Sequence, residues 1–148
     1  MKFDLEKIEK IRRNKRVRQV LAHQDPLWFA LLYLTHHFNT PFAPFHMEMF
    51  EILKNPQYKI VTMMAFRESG KSTIMNMVNT LWSILGKLEK KFVIIASKTQ
   101  EQAKNHFSNI KAELQNNSLL IEDFGPFMEN KSDWNNKLSL EKIGRAHV

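Results

Sequence analysis

Between Lys59 and Gly86 the hydrophobic period of the chain changes from strand-like to helix-like across one polar turn, and this stretch constrains the local topology more than any other. Lys59-Ile60-Val61-Thr62-Met63-Met64-Ala65 is an apolar run rich in β-formers, long enough for one buried strand and too short for a typical helix. Asn55-Pro56 closes whatever precedes it. Ile74, Met77, Val78, Leu81 and Leu85 then recur at helical spacing, and Gly86 stands where a C′ residue ends a helix. The implied order is strand, tight turn, helix.

The turn itself carries chemistry. Ala65-Phe66-Arg67-Glu68-Ser69-Gly70-Lys71-Ser72 fits seven of the eight positions of G-x-x-x-x-G-K-[ST], the phosphate-binding loop or Walker A pattern. Such a loop needs inward-facing amides and a following helix whose positive end meets the phosphates. Gly70 would let the backbone approach the phosphates, and Lys71 would place a point charge near the β and γ oxygens. The Ser72 hydroxyl is the expected magnesium ligand, and Thr73 supports the loop. Ala65 in place of glycine is tolerable if that position needs negative φ and costly if it needs the glycine-only region. The competing reading is an ordinary strand-turn-helix corner. ATP and Mg²⁺ are the expected cofactors, with Ala65 to Thr73 as the ATP-binding set.

Composition bounds the rest. At 148 residues the chain is at most one domain, and 43% apolar and 11% aromatic content can fill a core. With no cysteine there is neither a disulfide framework nor a thiolate metal site. The longest apolar stretch, Leu27 to Leu34, is far shorter than the roughly 20 residues a spanning helix requires, and the N-terminus does not resemble a signal peptide. A soluble, intracellular protein is expected. The net charge of +7 favours an acidic partner such as nucleic acid. The excess clusters in Arg12, Arg13, Lys15, Arg16 and Arg18, the DNA-binding candidates, whose alternative is a solvated helix face.

Along the chain, Leu5, Ile8 and Ile11 predict a first helix from about Asp4 to Val20 with one cationic side. Asp25-Pro26 is a cap followed by an N1 proline, opening an apolar helix to near Phe38. After the break Thr40 to Pro44, a helix from Phe45 to Lys54 puts His46, Phe50 and Leu53 on one face. His46 is either a packed or surface residue, or a polar group that hydrogen-bonds the adenine edge. Lys91 to Ser97 reads as a second buried strand. Thr99 and Gln102 read as a capping box, and Ala103, Phe107, Ile110 and Leu114 as the buried face of the next helix. Alternating strand and helix predicts an α/β fold with a parallel sheet and right-handed crossovers. Leu119-Leu120-Ile121-Glu122-Asp123 superficially matches a Walker B strand, but its acids are reversed and loop residues bracket it, so it reads as a surface connection.

Taken in series, these stretches resemble the N-terminal part of the ATPase domain of a tailed-bacteriophage terminase large subunit. The matching residues are Pro41-Phe42-Ala43-Pro44-Phe45-His46 with Glu48, the arginine-containing loop Ala65 to Ser72, Val93 to Leu114, and Asn117 through Ile121-Glu122-Asp123-Phe124-Gly125. The likeness covers about Trp28 to Leu140. It implies a P-loop NTPase of ASCE type, a three-layer parallel sheet with flanking helices, here truncated and preceded by an N-terminal helical segment. It also implies ATP hydrolysis coupled to packaging double-stranded viral DNA into procapsids, and a C-terminal nuclease in the full-length protein. Arg67 would correspond to the loop arginine acting on the γ-phosphate, making Lys71 and Arg67 the catalytic candidates. The alternative for Arg67 is a salt bridge, for instance with Glu68. His46 falls in the family's adenine-binding region, where glutamine is also common.

The implied partners are double-stranded DNA, a portal protein and a small terminase subunit. A homo-oligomeric ring in the host cytoplasm, transiently docked on the procapsid and not membrane-bound, is implied too. The resemblance implies that a true Walker B Asp-Glu, the motif coupling hydrolysis to movement and the nuclease acids lie beyond Val148, so turnover by these residues alone is not expected, whereas nucleotide binding is. Two other functions fit the same motifs: another P-loop nucleic-acid ATPase such as a helicase, or a non-catalytic basic nucleic-acid-binding fragment. The organisation expected is a helical segment over 1–40 with the basic helix and an ATPase portion over 41–142, in which Trp134 to Leu140 begins a further strand pair. Ile143-Gly144-Arg145-Ala146-His147-Val148 reads as the translation of a sequencing adapter, 143–148 being an artefact and the gene continuing.

Overall fold

The computed structural model describes residues 5–38, 40–128 and 141–142. It divides into two compact units, Met1–Ile94 and Ile95–Val148. The expected strand pair over Trp134 to Leu140, the first residue of the expected N-terminal helix, Asp4, and the adapter-like tail lie outside the described residues.

The first unit is helical, and its centre is α3 (Pro26–Tyr33). Phe29, Ala30, Leu31, Leu32 and Tyr33 are all buried, so this helix is apolar on every side and must be covered all round. Its cover comes from α1 (Leu5–Arg13), α2 (Lys15–Gln24), α4 (Pro44–Lys54) and the helical stretch that follows the loop, all of which pack on it. Asp25 accepts from Leu27 N–H at 2.9 Å, and Pro26 occupies N1, where its missing N–H costs nothing. A 3₁₀ turn, Thr35–His37, ends the helix earlier than the apolar run suggests.

The basic segment is two helices. Asn14 breaks it, its N–H donating to Ile11 O at 3.0 Å and its side chain accepting from Val17 N–H at 3.2 Å to cap α2. An asparagine side chain that competes for backbone partners favours such a break over continuation.

The expected α/β architecture is not what forms. Among the described residues the one strand pairing joins β1 (Phe127–Met128) to β2 (Glu141–Lys142), antiparallel, with Phe127 opposite Lys142. Neither Lys59 to Ala65 nor Lys91 to Ser97 is a strand, and among the described residues there is no parallel sheet. Central parallel strands are buried on both faces, yet Ile60 is 90% exposed, Met64 93%, Phe92 79% and Ile94 76%. A helix satisfies its own backbone, whereas a strand needs a neighbour's N–H and C=O groups. The helices of the first unit gather around α3, and the two β-prone runs are left in solvent without pairing. The chain is therefore not a three-layer P-loop NTPase sheet.

After the loop, residues 71–85 are helical throughout, but Thr73–Val78 is π-helical before α5 (Asn79–Leu85) resumes the α form. Ile74, Met77, Val78, Leu81, Trp82 and Leu85 are buried. Gly86 follows because a Cβ there would lie 2.5 Å from Trp82 Cδ1 and 2.6 Å from Trp82 O, too close for any side chain.

In the second unit, Thr99 caps α6 (Gln100–Asn116), accepting from Gln102 N–H at 3.3 Å. Ile110 and Leu114 are buried, Ala103 and Phe107 half-buried. The segment read as a surface connection is instead helix α7 (Ser118–Phe124), capped by Asn117, which accepts from Leu120 N–H at 3.3 Å. Asp123 is buried and Glu122 exposed on this helix, so it does not form a Walker B strand. Among the described residues, no helix is long and apolar enough to cross a membrane.

Candidate phosphate-binding loop

The loop is built from two backbone reversals around one buried residue. Glu68 has φ +65° and Gly70 φ +74°, both in the left-handed region, and Ser69 between them is only 4% exposed. Gly70 adopts this conformation freely. Glu68 does so at a cost of roughly 1–2 kcal/mol. Ala65 is not left-handed, so the missing first glycine introduces no strain. Among the described residues, none of the amides from Arg67 to Gly70 donates to another backbone group, and the buried Ser69 Oγ has no hydrogen-bond partner.

Lys71 opens the helix that follows, where Ile74 N–H donates to Gly70 O at 3.0 Å. Its Nζ turns back and donates to Phe66 O at 3.3 Å. The ammonium is thus held over the loop by a neutral carbonyl, not neutralised by a carboxylate. Ser72 is exposed and Thr73 half-buried. The exposed Ser72 hydroxyl suits a magnesium ion that takes its remaining ligands from phosphate oxygens and water. Arg67 and Glu68 are both exposed and form no ion pair with each other among the described residues, which leaves the guanidinium unengaged.

His46 meets the loop from the first turn of α4. At N3 of that helix its Nδ1 accepts from Ala43 N–H at 2.9 Å, the part that Glu or Gln plays in a capping box. Its Nε2 lies 2.7 Å from Ser69 O. Because Ala43 supplies an N–H, Nδ1 must be the acceptor, and Nε2 must carry the hydrogen that Ser69 O accepts. Both ring nitrogens are engaged, so neither is free for an adenine edge. Phe45 lies against His46 at 4.0 Å between centroids, its ring tilted by 42°, and meets the ring of Phe66 edge-on at 5.6 Å. Neither this aromatic contact nor the buried Ser69 hydroxyl is readable from motif spacing. Pro44-Phe45-His46 after a cap position was the available signal for the histidine.

The basic candidates separate by burial. Arg13, Lys15 and Arg16 are exposed around the Asn14 break. Arg12 is partly covered and pairs with Glu9 at 3.5 Å. Arg18 is 3% exposed, and its Nη1 donates to Arg12 O at 2.8 Å, tying α2 to α1. Its charge serves helix packing and is not presented to a ligand. No protein-family model, curated protein or solved structure matches the chain.

Proposed function

We propose that Ala65 to Thr73 binds the triphosphate of ATP with magnesium. In this reading the chain is the ATP-binding part of a terminase-like motor that moves double-stranded viral DNA into procapsids. The observation that carries the first step is the paired left-handed backbone at Glu68 and Gly70 around a buried, unpartnered Ser69 hydroxyl, immediately before Lys71. Strained, left-handed backbone concentrates where a concave row of amides must face an anion. The reading rests on the loop and the helix start, and takes no parallel sheet as its premise.

The roles follow from reach and charge. Lys71 leaves Phe66 O to meet the β and γ oxygens, Ser72 ligates magnesium, and Arg67 supplies guanidinium charge to the γ-phosphate. Arg13, Lys15 and Arg16, which are exposed, meet DNA phosphates in this reading. A portal, a small subunit, a ring of copies and a site of action in the host cytoplasm belong to the same proposal and rest on the motif likeness.

Calorimetry with a non-hydrolysable ATP analogue and Mg²⁺ tests the first step. Lys71→Ala is expected to abolish binding while the helical circular-dichroism signal persists. Equal affinity of the variant would remove the loop from function, and the basic face would then carry whatever activity the chain has.

A further inference from the structure

Among the described residues, the Ser69–Gly70 peptide takes no backbone hydrogen bond from the loop's own residues. Rotating that unit changes only ψ of Ser69 and φ of Gly70, and glycine accepts φ of either sign at little cost. With φ +74° at Gly70, one rotation would bring it into the ordinary negative region. Since C=O and N–H are antiparallel across a planar trans peptide, such a flip would exchange an amide for a carbonyl at the loop mouth. A carbonyl there repels phosphate.

His46 supplies what the loop lacks. Its Nε2–H holds Ser69 O at 2.7 Å, which turns the Gly70 N–H to the opposite side of the peptide, away from the imidazole. The ring is itself fixed by Ala43 N–H at 2.9 Å and by Phe45 packed at a tilt against it. A Cβ built on Gly70 would stand 3.5 Å from His46 Nε2, so the imidazole lies directly beside this peptide. The hydrogen bond decides.

We infer that His46 is a positioning residue that locks the Ser69–Gly70 peptide with its amide toward the triphosphate, and that it is not the reader of the base. This rests on the phosphate-loop reading above and specifies how that loop selects an anion. Glutamine is the one side chain that can reproduce both contacts, its Oε1 accepting from Ala43 N–H and its Nε2 donating to Ser69 O. Leucine reproduces neither.

Calorimetry on the 148-residue chain with Mg²⁺-tripolyphosphate and with Mg²⁺-ATP separates the possibilities, because tripolyphosphate has no base. His46→Leu is expected to weaken both ligands about ten-fold, the size of one hydrogen bond, and His46→Gln to restore both. Loss confined to ATP, or no loss with either ligand, overturns the lock. A native chain that binds neither ligand overturns the phosphate-loop reading itself, a result distinct from a native chain that binds both and a leucine variant that equals it. Should His46→Leu not fold, the imidazole ¹⁵N spectrum of the native chain tests the same contacts. A hydrogen on Nε2 with unprotonated Nδ1 supports the lock, and the opposite tautomer refutes it.

Discussion

Trp82 Nε1 donates to Ala22 O at 3.1 Å, a buried hydrogen bond across 60 residues that joins α5 to the end of α2. The need for it arises in the sequence. Ala22 is one of the last carbonyls of α2, and its helical partner would be the amide of residue 26, which is proline. Asp25 N–H serves Leu21 O at 3.2 Å and Lys87 N–H serves His23 O at 2.9 Å, leaving the indole to take Ala22. Trp82→Phe keeps most of the ring and removes the donor. Urea unfolding should show a loss of about 1–3 kcal/mol, the cost of a buried carbonyl left unsatisfied. An unchanged midpoint with an unchanged m-value would mean that water reaches Ala22 O.

Asp25 does two jobs, capping α3 and holding Lys54 Nζ at 2.9 Å. The hydrogen bond to the Asp25 carboxylate, followed by its charge, raises the Lys54 ammonium above its ordinary value. Because the folded-state value is the higher one, this contribution is complete below the ordinary lysine range near pH 10.4 and is lost as pH climbs through the folded-state value. The Lys54 side chain is 38% exposed, so solvent screening keeps the pair to about 0.2–1 kcal/mol. Lys54→Met should therefore lower stability by that amount at pH 7 and remove part of the stability loss expected as pH rises above the ordinary lysine range. Asp25→Ala should cost more than Lys54→Met, since it also removes the cap, typically worth about 1 kcal/mol.

Local chemistry was legible where one residue decides the outcome. Asp25-Pro26 opens α3, Thr99 opens α6, and Gly70-Lys71 turns the chain into a helix. What could not be read depended on partners distant in sequence. Ile60 to Met64 and Phe92 to Ile94 have β-prone composition, but strand formation needs a neighbour, and hydrophobic period does not reveal whether one arrives. Arg18 belongs by sequence to a cationic stripe, yet the break at Asn14 folds α1 back so that Arg12 O captures its guanidinium. Leu119 to Asp123 is bracketed by loop formers, but Asn117 acts as a helix cap and not a turn. The π-helical Thr73–Val78 has no compositional mark at all, since the same apolar spacing serves an α-helix.

Glu68 and Gly70 share left-handed backbone but not its cost, so opposite substitutions should move stability in opposite directions. Gly70→Ala has room for its Cβ and still forces a left-handed alanine, an expected loss of about 1–2 kcal/mol. Glu68→Gly relieves the same strain but loosens the unfolded chain, so the net gain should stay below about 1 kcal/mol. If Gly70→Ala instead relaxes to negative φ, stability recovers and tripolyphosphate affinity falls at least ten-fold. Parallel thermal melts and calorimetry of the two variants separate strain retained from loop geometry lost.

The basic residues at the α1–α2 junction should divide in the same way as their burial. Replacing Arg13, Lys15 and Arg16 together by glutamine removes exposed charge without touching the core. If all three meet phosphates, the slope of log affinity for duplex DNA against log salt should flatten by up to about three, at roughly 0.9 per contact, with the melting curve unmoved. Arg18→Gln should do the reverse. It removes a buried charge-assisted hydrogen bond to Arg12 O, costing about 1.5–3 kcal/mol of stability, and leaves the salt slope as it was. A slope that responds to Arg18 and ignores the other three would require α1 and α2 to separate on DNA, because only then could that guanidinium leave Arg12 O and reach a phosphate.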